Sequence, residues 1–412
     1  METVALKDLC LSVTDCPHST PKWTDSGKIV IRNQNIKNGR LDLSTTYYTD
    51  EDNFQKRCAR AVPEPGDLII TREAPMGEVC LIPENLECCL GQRMVLLKPN
   101  TEICDSKYML YCLLSRNVQQ QISWSEGTGT TVSNLRIPHL EQLQIPYCDL
   151  EKQKRIAAVL GVIDDLIDNN EKMTENLSNQ IQNIYTEWFT EMTPFNDEEK
   201  IDTDQGIVPK KWDVMPLEDF IFFQEGPGIR NWQYVSENGT KFINIRCING
   251  GDIDLTSANM ISNEEANGKY AHFMLKENDI VISCSGTLGR YAIVRKEHLP
   301  LCLNTSIIRF QPKRCESDYA YVYSYLTSKE FANKQQEMAS GSVQVNFGPT
   351  HLKKIMMVVP PIETLKEYSV LVMPVIKQMI RNRSEKQKLT EVKNLLLDKL
   401  IKGDIDVANV TI

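Results

Sequence analysis

Residues 66–70 read Gly-Asp-Leu-Ile-Ile, and residues 278–282 read Asn-Asp-Ile-Val-Ile. Each is a short apolar run entered through an acidic turn, which is the pattern of a buried strand. The two stretches stand 212 positions apart, and that offset decides the fold because it recurs far beyond them. Ile31, Ile36, Gly39, Asp42 and Leu43 fall on Ile243, Ile248, Gly251, Asp254 and Leu255. Gly77 falls on Gly289, His139-Leu140 on His351-Leu352, and Asn170 on Asn382. A chance alignment would drift, whereas this one holds from residue 31 to beyond 170. The chain therefore reads as one unit written twice, each copy a globular part followed by a helix.

Within each globular part the expected strands are 67–71 and 279–283, then 79–82 and 291–294. The loops between them, Arg72–Gly77 and Cys284–Gly289, hold the Gly and Pro residues that a tight reversal needs. Helices are expected at 108–115 and 319–327.

The segment 151–190 has no Pro, and its one Gly is Gly161. Its apolar seam runs Ile156, Leu160, Ile163, Ile167, then Asn170 and Thr174, then Leu177, Ile181, Ile184 and Trp188. Steps of four and three alternate, as in a coiled coil. The second copy repeats the spacing with Leu365, Tyr368, Val372, Val375, Met379, Asn382, Lys386, Leu389, Lys393, Leu396 and Leu400. Asn170 and Asn382 hold equivalent seam positions. An amide in a seam can fix register, because few alignments satisfy it; the alternative is that each faces solvent where the seam drifts. Pro374 removes a backbone hydrogen bond from the second helix and predicts a kink or a fresh start there.

The seam does not say what it packs on. A stalk is one option. The other, favoured by the duplication, is that the two helices of this chain pair antiparallel about a pseudo-twofold axis. A helix of roughly 35 residues spans ~50 Å at 1.5 Å per residue, about 15 base-pair steps of ~3.4 Å. The expected fold is α+β: two mixed α/β globular parts separated by two long antiparallel coiled-coil helices. The boundaries are 1–148, 149–192, 193–360 and 361–403, with a tail at 404–412.

Composition sets outer limits. The chain of 412 residues is 41% hydrophobic and 25% charged, with a formal charge of −9. No run nears the ~18 apolar residues that span a bilayer, and the start of the chain lacks a secretory pattern, so the expected location is the cytoplasm. Thirteen cysteines, odd in number and without a Cys-x-x-Cys pair, read as reduced and mostly buried thiols. No segment is a basic arm, so any nucleic-acid contact must come from local clusters. There is no Gly-x-x-x-x-Gly-Lys loop, no Asp/Asn-Pro-Pro-Tyr/Phe tetrapeptide, no Gly-x-Ser-x-Gly and no His-Glu-x-x-His. The five histidines are dispersed, and His139 and His351 are assigned to capping or packing. No metal site and no catalytic residue is expected.

In order along the chain, several pieces resemble one family. Ile145-Pro146 leads into Leu150-Glu151-Lys152-Gln153-Lys154-Arg155-Ile156. Trp188-Phe189 closes the first helix, and Gly206-Ile207-Val208-Pro209-Lys210-Lys211-Trp212 opens the second globular part. The segment 279–289 and the tail Leu400-Ile401-Lys402-Gly403-Asp404-Ile405-Asp406-Val407 follow. Together they are similar to the specificity subunits of type I restriction-modification systems, over nearly the full length. Pro360-Pro361-Ile362-Glu363-Thr364-Leu365-Lys366 departs from the pattern by lacking the Gln of the first copy.

The resemblance implies that each globular part is a target recognition domain reading one half of an asymmetric, bipartite site in double-stranded DNA. It implies two methyltransferase subunits docked on the central helices and two restriction motor subunits in the full complex. No cofactor is expected on this chain itself. S-adenosylmethionine, ATP and Mg2+ belong to the partners, with adenine methylation or ATP-driven cleavage as their chemistry. The alternatives are a coiled-coil adaptor that binds no DNA and the specificity subunit of another restriction-modification type.

Base reading calls for Arg, Lys, Asn, Gln, Ser or Thr on loops. The candidates are Thr71, Arg72, Gln92 and Arg93 in the first copy, with Ser285, Thr287, Arg290 and Asn304 in the second. A further group precedes each helix: Thr128, Thr130 and Asn134, then Ser342, Gln344 and Asn346. For helix pairing the expected residues are Ile156, Leu160, Ile163, Ile167, Asn170, Leu177 and Ile181, with Val375, Met379, Asn382, Leu389 and Leu396 opposite.

Overall fold

A computed structural model describes residues 1–124, 134–339, 346–408 and 410. The chain divides into two compact units, Met1–Ile167 with Leu389–Ile412, and Asp168–Lys388. The division cuts both long helices, Leu150–Tyr185 and Ile362–Lys402, so each unit holds the start of one and the end of the other.

The first unit is built on a four-stranded antiparallel sheet in the order Cys10–Asp15, Met94–Pro99, Leu68–Thr71, Val79–Leu81. A three-stranded sheet sets Lys28–Ile31 between Tyr48–Thr49 and Cys88–Leu90, with the latter pair parallel. The second unit repeats the plan. Its four strands are Ile221–Glu225, Ile307–Pro312, Ile280–Ser283 and Tyr291–Ile293, in the same order. Its smaller sheet again pairs one strand in parallel, Gly239–Phe242 with Leu301–Cys302. Glu2–Ala5 pairs with Gln144–Tyr147, as Asp213–Pro216 pairs with Met356–Val359.

The expected strands and helices are present in both copies: Ser106–Leu114 and Tyr319–Leu326 are the predicted helices. The offset holds at the level of single bonds. Asp42 N donates to Asn35 O at 2.7 Å, and Asp254 N donates to Cys247 O at 2.8 Å. Their carboxylates then accept from Ser44 N and Thr256 N, each at 2.8 Å. Equivalent residues make equivalent turns, so the repeat is one of structure and not of composition alone.

Each core is closed by the long helices. In the first unit Ile156, Ala157 and Leu160 of one helix and Leu397, Leu400 and Ile401 of the other pack with Leu68, Ile70, Val95 and Tyr108. In the second unit the roles exchange. There Ile181, Tyr185 and Phe189 join Leu365, Tyr368, Val372, Ile376 and Met379 against Ile280, Ile282, Phe310 and Tyr323. Phe189 lies 4.7 Å from the rings of both Tyr321 and Tyr368, an edge-on arrangement that the ring quadrupoles favour. The seam thus buries its ends in the globular parts. Among the expected pairing residues, Ile163, Leu177, Val375, Leu389 and Leu396 are half-buried, and Ile376 and Leu397 are the more deeply buried neighbours.

Polar contacts give the helices their direction. Within the first unit Lys393 Nζ meets Asp164 Oδ1 at 2.6 Å; within the second Lys386 Nζ meets Glu171 Oε1 at 2.5 Å. Advancing from Asp164 to Glu171 matches retreating from Lys393 to Lys386 by the same number of residues, so the pair is antiparallel. Asn170 and Asn382 are 8% and 2% exposed, so neither drifts into solvent.

The first helix starts on Asp149, whose carboxylate accepts from Lys152 N at 2.9 Å. Gln153, fully buried, fastens that start: its Oε1 accepts from Asp105 N, and its Nε2 donates to the carbonyls of Ile103 and Cys148. The second helix corrects one expectation. It does not start afresh at Pro374 but runs unbroken through it. Pro374 points to solvent while Val372 and Ile376 beside it are fully buried, so packing on both sides offsets the lost hydrogen bond.

All thirteen cysteines are unpaired, and most are buried. Burial pushes the thiols of Cys80, Cys88 and Cys89 up to about 12, which makes them inert packing groups. Among the described residues no helix is long and apolar enough to cross a membrane.

Candidate nucleic-acid interface

In each unit the loop after the third strand of the main sheet is held from inside by one hydroxyl. Thr71 Oγ1 donates to Pro75 O at 2.6 Å and accepts from Glu78 N at 3.0 Å. Ser283 Oγ donates to Thr287 O at 2.7 Å and accepts from Arg290 N at 2.9 Å. Both hydroxyl residues are fully buried, so they shape the loop rather than reach out of it. The chain then reverses at Gly77 and Gly289, whose φ values of 82° and 76° lie where a side chain is disfavoured.

Around that loop the first unit gathers most of its predicted site residues. Arg72 donates through Nε to Leu135 O at 2.9 Å, through Nη1 to both oxygens of Asp15, and through Nη2 to Asn134 Oδ1 at 3.2 Å. Arg93 reaches Glu73 Oε2 at 3.2 Å with its side chain 56% exposed. Gln92 Nε2 bonds the carbonyl of His18 and lies 3.4 Å from Thr20 Oγ1. Asp15, His18, Arg72, Glu73, Gln92, Arg93 and Asn134 therefore form one polar end of the sheet. Arg72 is the interior brace of that end, and Arg93 is its outward cation.

The second unit builds the same end with different chemistry. Phe347 N donates to Cys284 O at 2.8 Å, as Leu135 N donates to Arg72 O at 3.0 Å. Cys284 thus occupies the place of Arg72, and burial pushes its thiol up to about 12. Glu225 ends the first strand where Asp15 does in the other copy, and burial raises its carboxyl above the ordinary range. Cys284 N donates to Ser306 O, Asn304 Oδ1 accepts from Ser306 N at 3.3 Å, and Ser285 bridges to Asn346. Ser285, Asn304 and Asn346 are brought together. Thr287 and Arg290 are exposed on the adjoining turn, where Arg290 Nη1 lies 3.4 Å from Ile248 O. Thr128, Thr130, Ser342 and Gln344 lie outside the described residues.

The two in-register histidines have packing and capping roles. His139 Nε2 lies 2.9 Å from Gln121 O, while His351 Nδ1 accepts from Gly348 N at 3.1 Å and its ring stacks on Phe347. Among the described residues no group of three or more His, Cys, Asp or Glu side chains is placed to hold a metal ion.

Sequence reasoning missed the tripeptide Arg230-Asn231-Trp232. Trp232 is 80% exposed, and the turn that carries it joins the loops just described, since Thr305 N donates to Pro227 O at 3.1 Å. An Arg and a Trp flanking an amide was the available signal. Register between the copies hid it, because the first copy has no counterpart triplet at that offset.

A family model described as the type I restriction modification DNA specificity domain matches residues 1–179 and, a second time, 209–394. The chain is 24% identical over 356 residues to the type I restriction enzyme MjaIX specificity subunit of Methanocaldococcus jannaschii, covering 85% of this chain and 80% of that one. It is 25% identical over 375 residues to the MjaVIII specificity subunit of the same organism, covering 89% and 86%. The HindI specificity subunit of Haemophilus influenzae is 19% identical over 411 residues, covering 84% and 88%. A solved type I restriction-modification S subunit from M. genitalium aligns over 97% of this chain and 95% of its own, at 16% identity and a TM-score of 0.47.

Proposed function

The chain belongs to the type I restriction modification DNA specificity family, and on that premise we propose that each of its units reads one half of a bipartite site in double-stranded DNA. It is the sequence-specific DNA-binding subunit of a type I complex and carries no catalytic site of its own. The observation that carries the finer reading is the repeated sheet end. Two units share one backbone plan, down to the hydroxyl inside each loop, yet one turns Arg93 outward at that end and the other exposes Thr287 and Arg290. A common scaffold with different polar displays suits two readers of two different base sequences.

The long antiparallel helices dock two methyltransferase subunits in this reading, and the restriction motor subunits join that assembly. S-adenosylmethionine, ATP and Mg2+ act on those partners, where methylation and cleavage take place. Exposed apolar side chains on the helices, Val162, Leu166 and Met173 on the first and Val392 and Leu395 on the second, offer surface for such docking.

The test is duplex binding by the chain assembled with its methyltransferase subunits, across a salt series. Contact with six or more phosphates predicts roughly a thousandfold loss of affinity between about 50 and 200 mM salt. Absent or salt-insensitive binding would instead point to an adaptor that holds proteins together.

A further inference from the structure

The units differ in the segment that joins the first strand of the main sheet to the parallel strand of the smaller one, residues 16–27 in the first and 226–238 in the second. In the second unit this segment forms a short, braced turn. On one side Ile229 is buried against Phe242, Ile261 and Tyr270. On the other the side-chain amide of Gln233, 6% exposed, spends its bonds on the turn. Its Oε1 accepts from Arg230 N at 3.0 Å, and its Nε2 donates to Glu265 Oε1 at 2.7 Å and Tyr270 Oη at 2.9 Å.

Between these anchors Arg230, Asn231 and Trp232 all point outward. Arg230 and Asn231 are exposed, and Trp232 is the most exposed large hydrophobic side chain among the described residues. In the first unit the corresponding segment carries Trp23, and there the indole is partly covered, at 42% exposed against 80% for Trp232. It packs 5.4 Å from the Tyr47 ring, with the Arg32 guanidinium 4.3 Å from Tyr47 and 5.6 Å from Trp23. One copy leans its tryptophan edge-on against a tyrosine that also takes the cation; the other leaves tryptophan and cation side by side and exposed. The turn also continues the polar sheet end, because Gly226 N donates to Ile307 O at 3.2 Å and a Cβ on Gly226 would strike the Asn304 backbone at 2.5 Å.

We infer that Arg230-Asn231-Trp232 is a base-reading tip of the second unit, entering a groove of its half-site. Arg230 and Asn231 supply donors and an acceptor for base edges, and Trp232 supplies the apolar contact beside them. Bracing by Ile229 and Gln233 removes most of the ordering cost that a loose loop would carry on binding. The inference rests on the DNA-reading function proposed above.

The test uses the full chain assembled with its methyltransferase subunits. The probes are duplexes bearing its own site, located from methylated adenines in the host genome, and the same duplexes with single base pairs changed in either half. Trp232→Ala and Arg230→Ala are each expected to weaken binding to the intact site by on the order of tenfold. They should also lose discrimination in one half while keeping it in the other. Thermal unfolding and subunit assembly should match the parent, because both side chains lie outside the core. Discrimination equal to the parent in both halves would overturn the inference. So would loss of methyltransferase subunits with unchanged DNA affinity in the complexes that remain, which would make the tip a protein contact. A parent complex with no preference among the duplexes would sink the DNA-reading function itself, and the tip with it.

Discussion

Arg72 donates through Nη1 to both carboxylate oxygens of Asp15, at 3.0 and 2.9 Å, and so ties the third strand of the first unit's sheet to the end of its first. The side chains are 12% and 22% exposed, so the pair is shielded enough to matter. Arg72→Ala strands the carboxylate and frees Leu135 O and Asn134. Unfolding in urea is expected to show a loss of about 2–3 kcal/mol. Adding Asp15→Asn should recover part of it, since the variant then buries no unpaired charge. Additive losses from the two changes would show that the pair is not coupled.

His298 gives the second unit a defined acid sensitivity. Its Nδ1 accepts from Arg295 N at 3.1 Å, and burial first, then the neighbouring Arg295 charge, hold the imidazole down to about 4. Asp252 and Glu297 also face it and pull the other way without prevailing. The folded chain thus keeps a neutral ring where the unfolded chain, titrating near 6.5, accepts a proton. Its stabilising effect is complete above about 6.5 and is lost as pH falls through about 4, a span worth ~3 kcal/mol. His298→Asn retains an acceptor for Arg295 N and has no proton to gain. The stability gap between parent and variant should therefore move in the variant's favour between pH 7.5 and 4.5. A gap that stays constant with pH would contradict the assignment.

Asn382, buried on the second long helix, accepts from Gln378 Nε2 at 2.8 Å through Oδ1, but its Nδ2 is buried without a partner. An unsatisfied buried donor costs free energy that an apolar side chain would not. Asn382→Leu is expected to raise stability by about 1 kcal/mol, visible as a higher thermal midpoint. A lower midpoint would show that the amide stabilises the fold and would contradict the reading of Nδ2 as an unmet donor.

Much of this architecture is legible in sequence because strands and helices leave periodic marks. The runs at 67–71 and 279–283 became paired strands, and the seam residues Ile156, Leu160, Ile181, Tyr368 and Met379 became core. Thr71 and Ser283 illustrate the boundary. Their place in the repeat is visible, but whether a hydroxyl faces bases or its own loop depends on where Pro75 O and Thr287 O point. Arg72 is similar: an arginine on a loop suggests a reader, and only Asp15, distant in sequence, reveals the brace. The continuous helix through Pro374 required knowing that Val372 and Ile376 are both pinned in one core. The Arg230–Trp232 tip was hidden for a different reason. Comparison of two copies finds what they share, and readers of different base sequences differ where they touch DNA.

The most direct measurement is a map of methylated adenines in a host carrying this gene with its methyltransferase partner. Two readers of unlike chemistry on one duplicated frame predict a split motif: two short specified blocks of different sequence, separated by a fixed run of unspecified bases. A single contiguous motif, or methylation that disappears from none of its sites when this gene is deleted, would contradict that account.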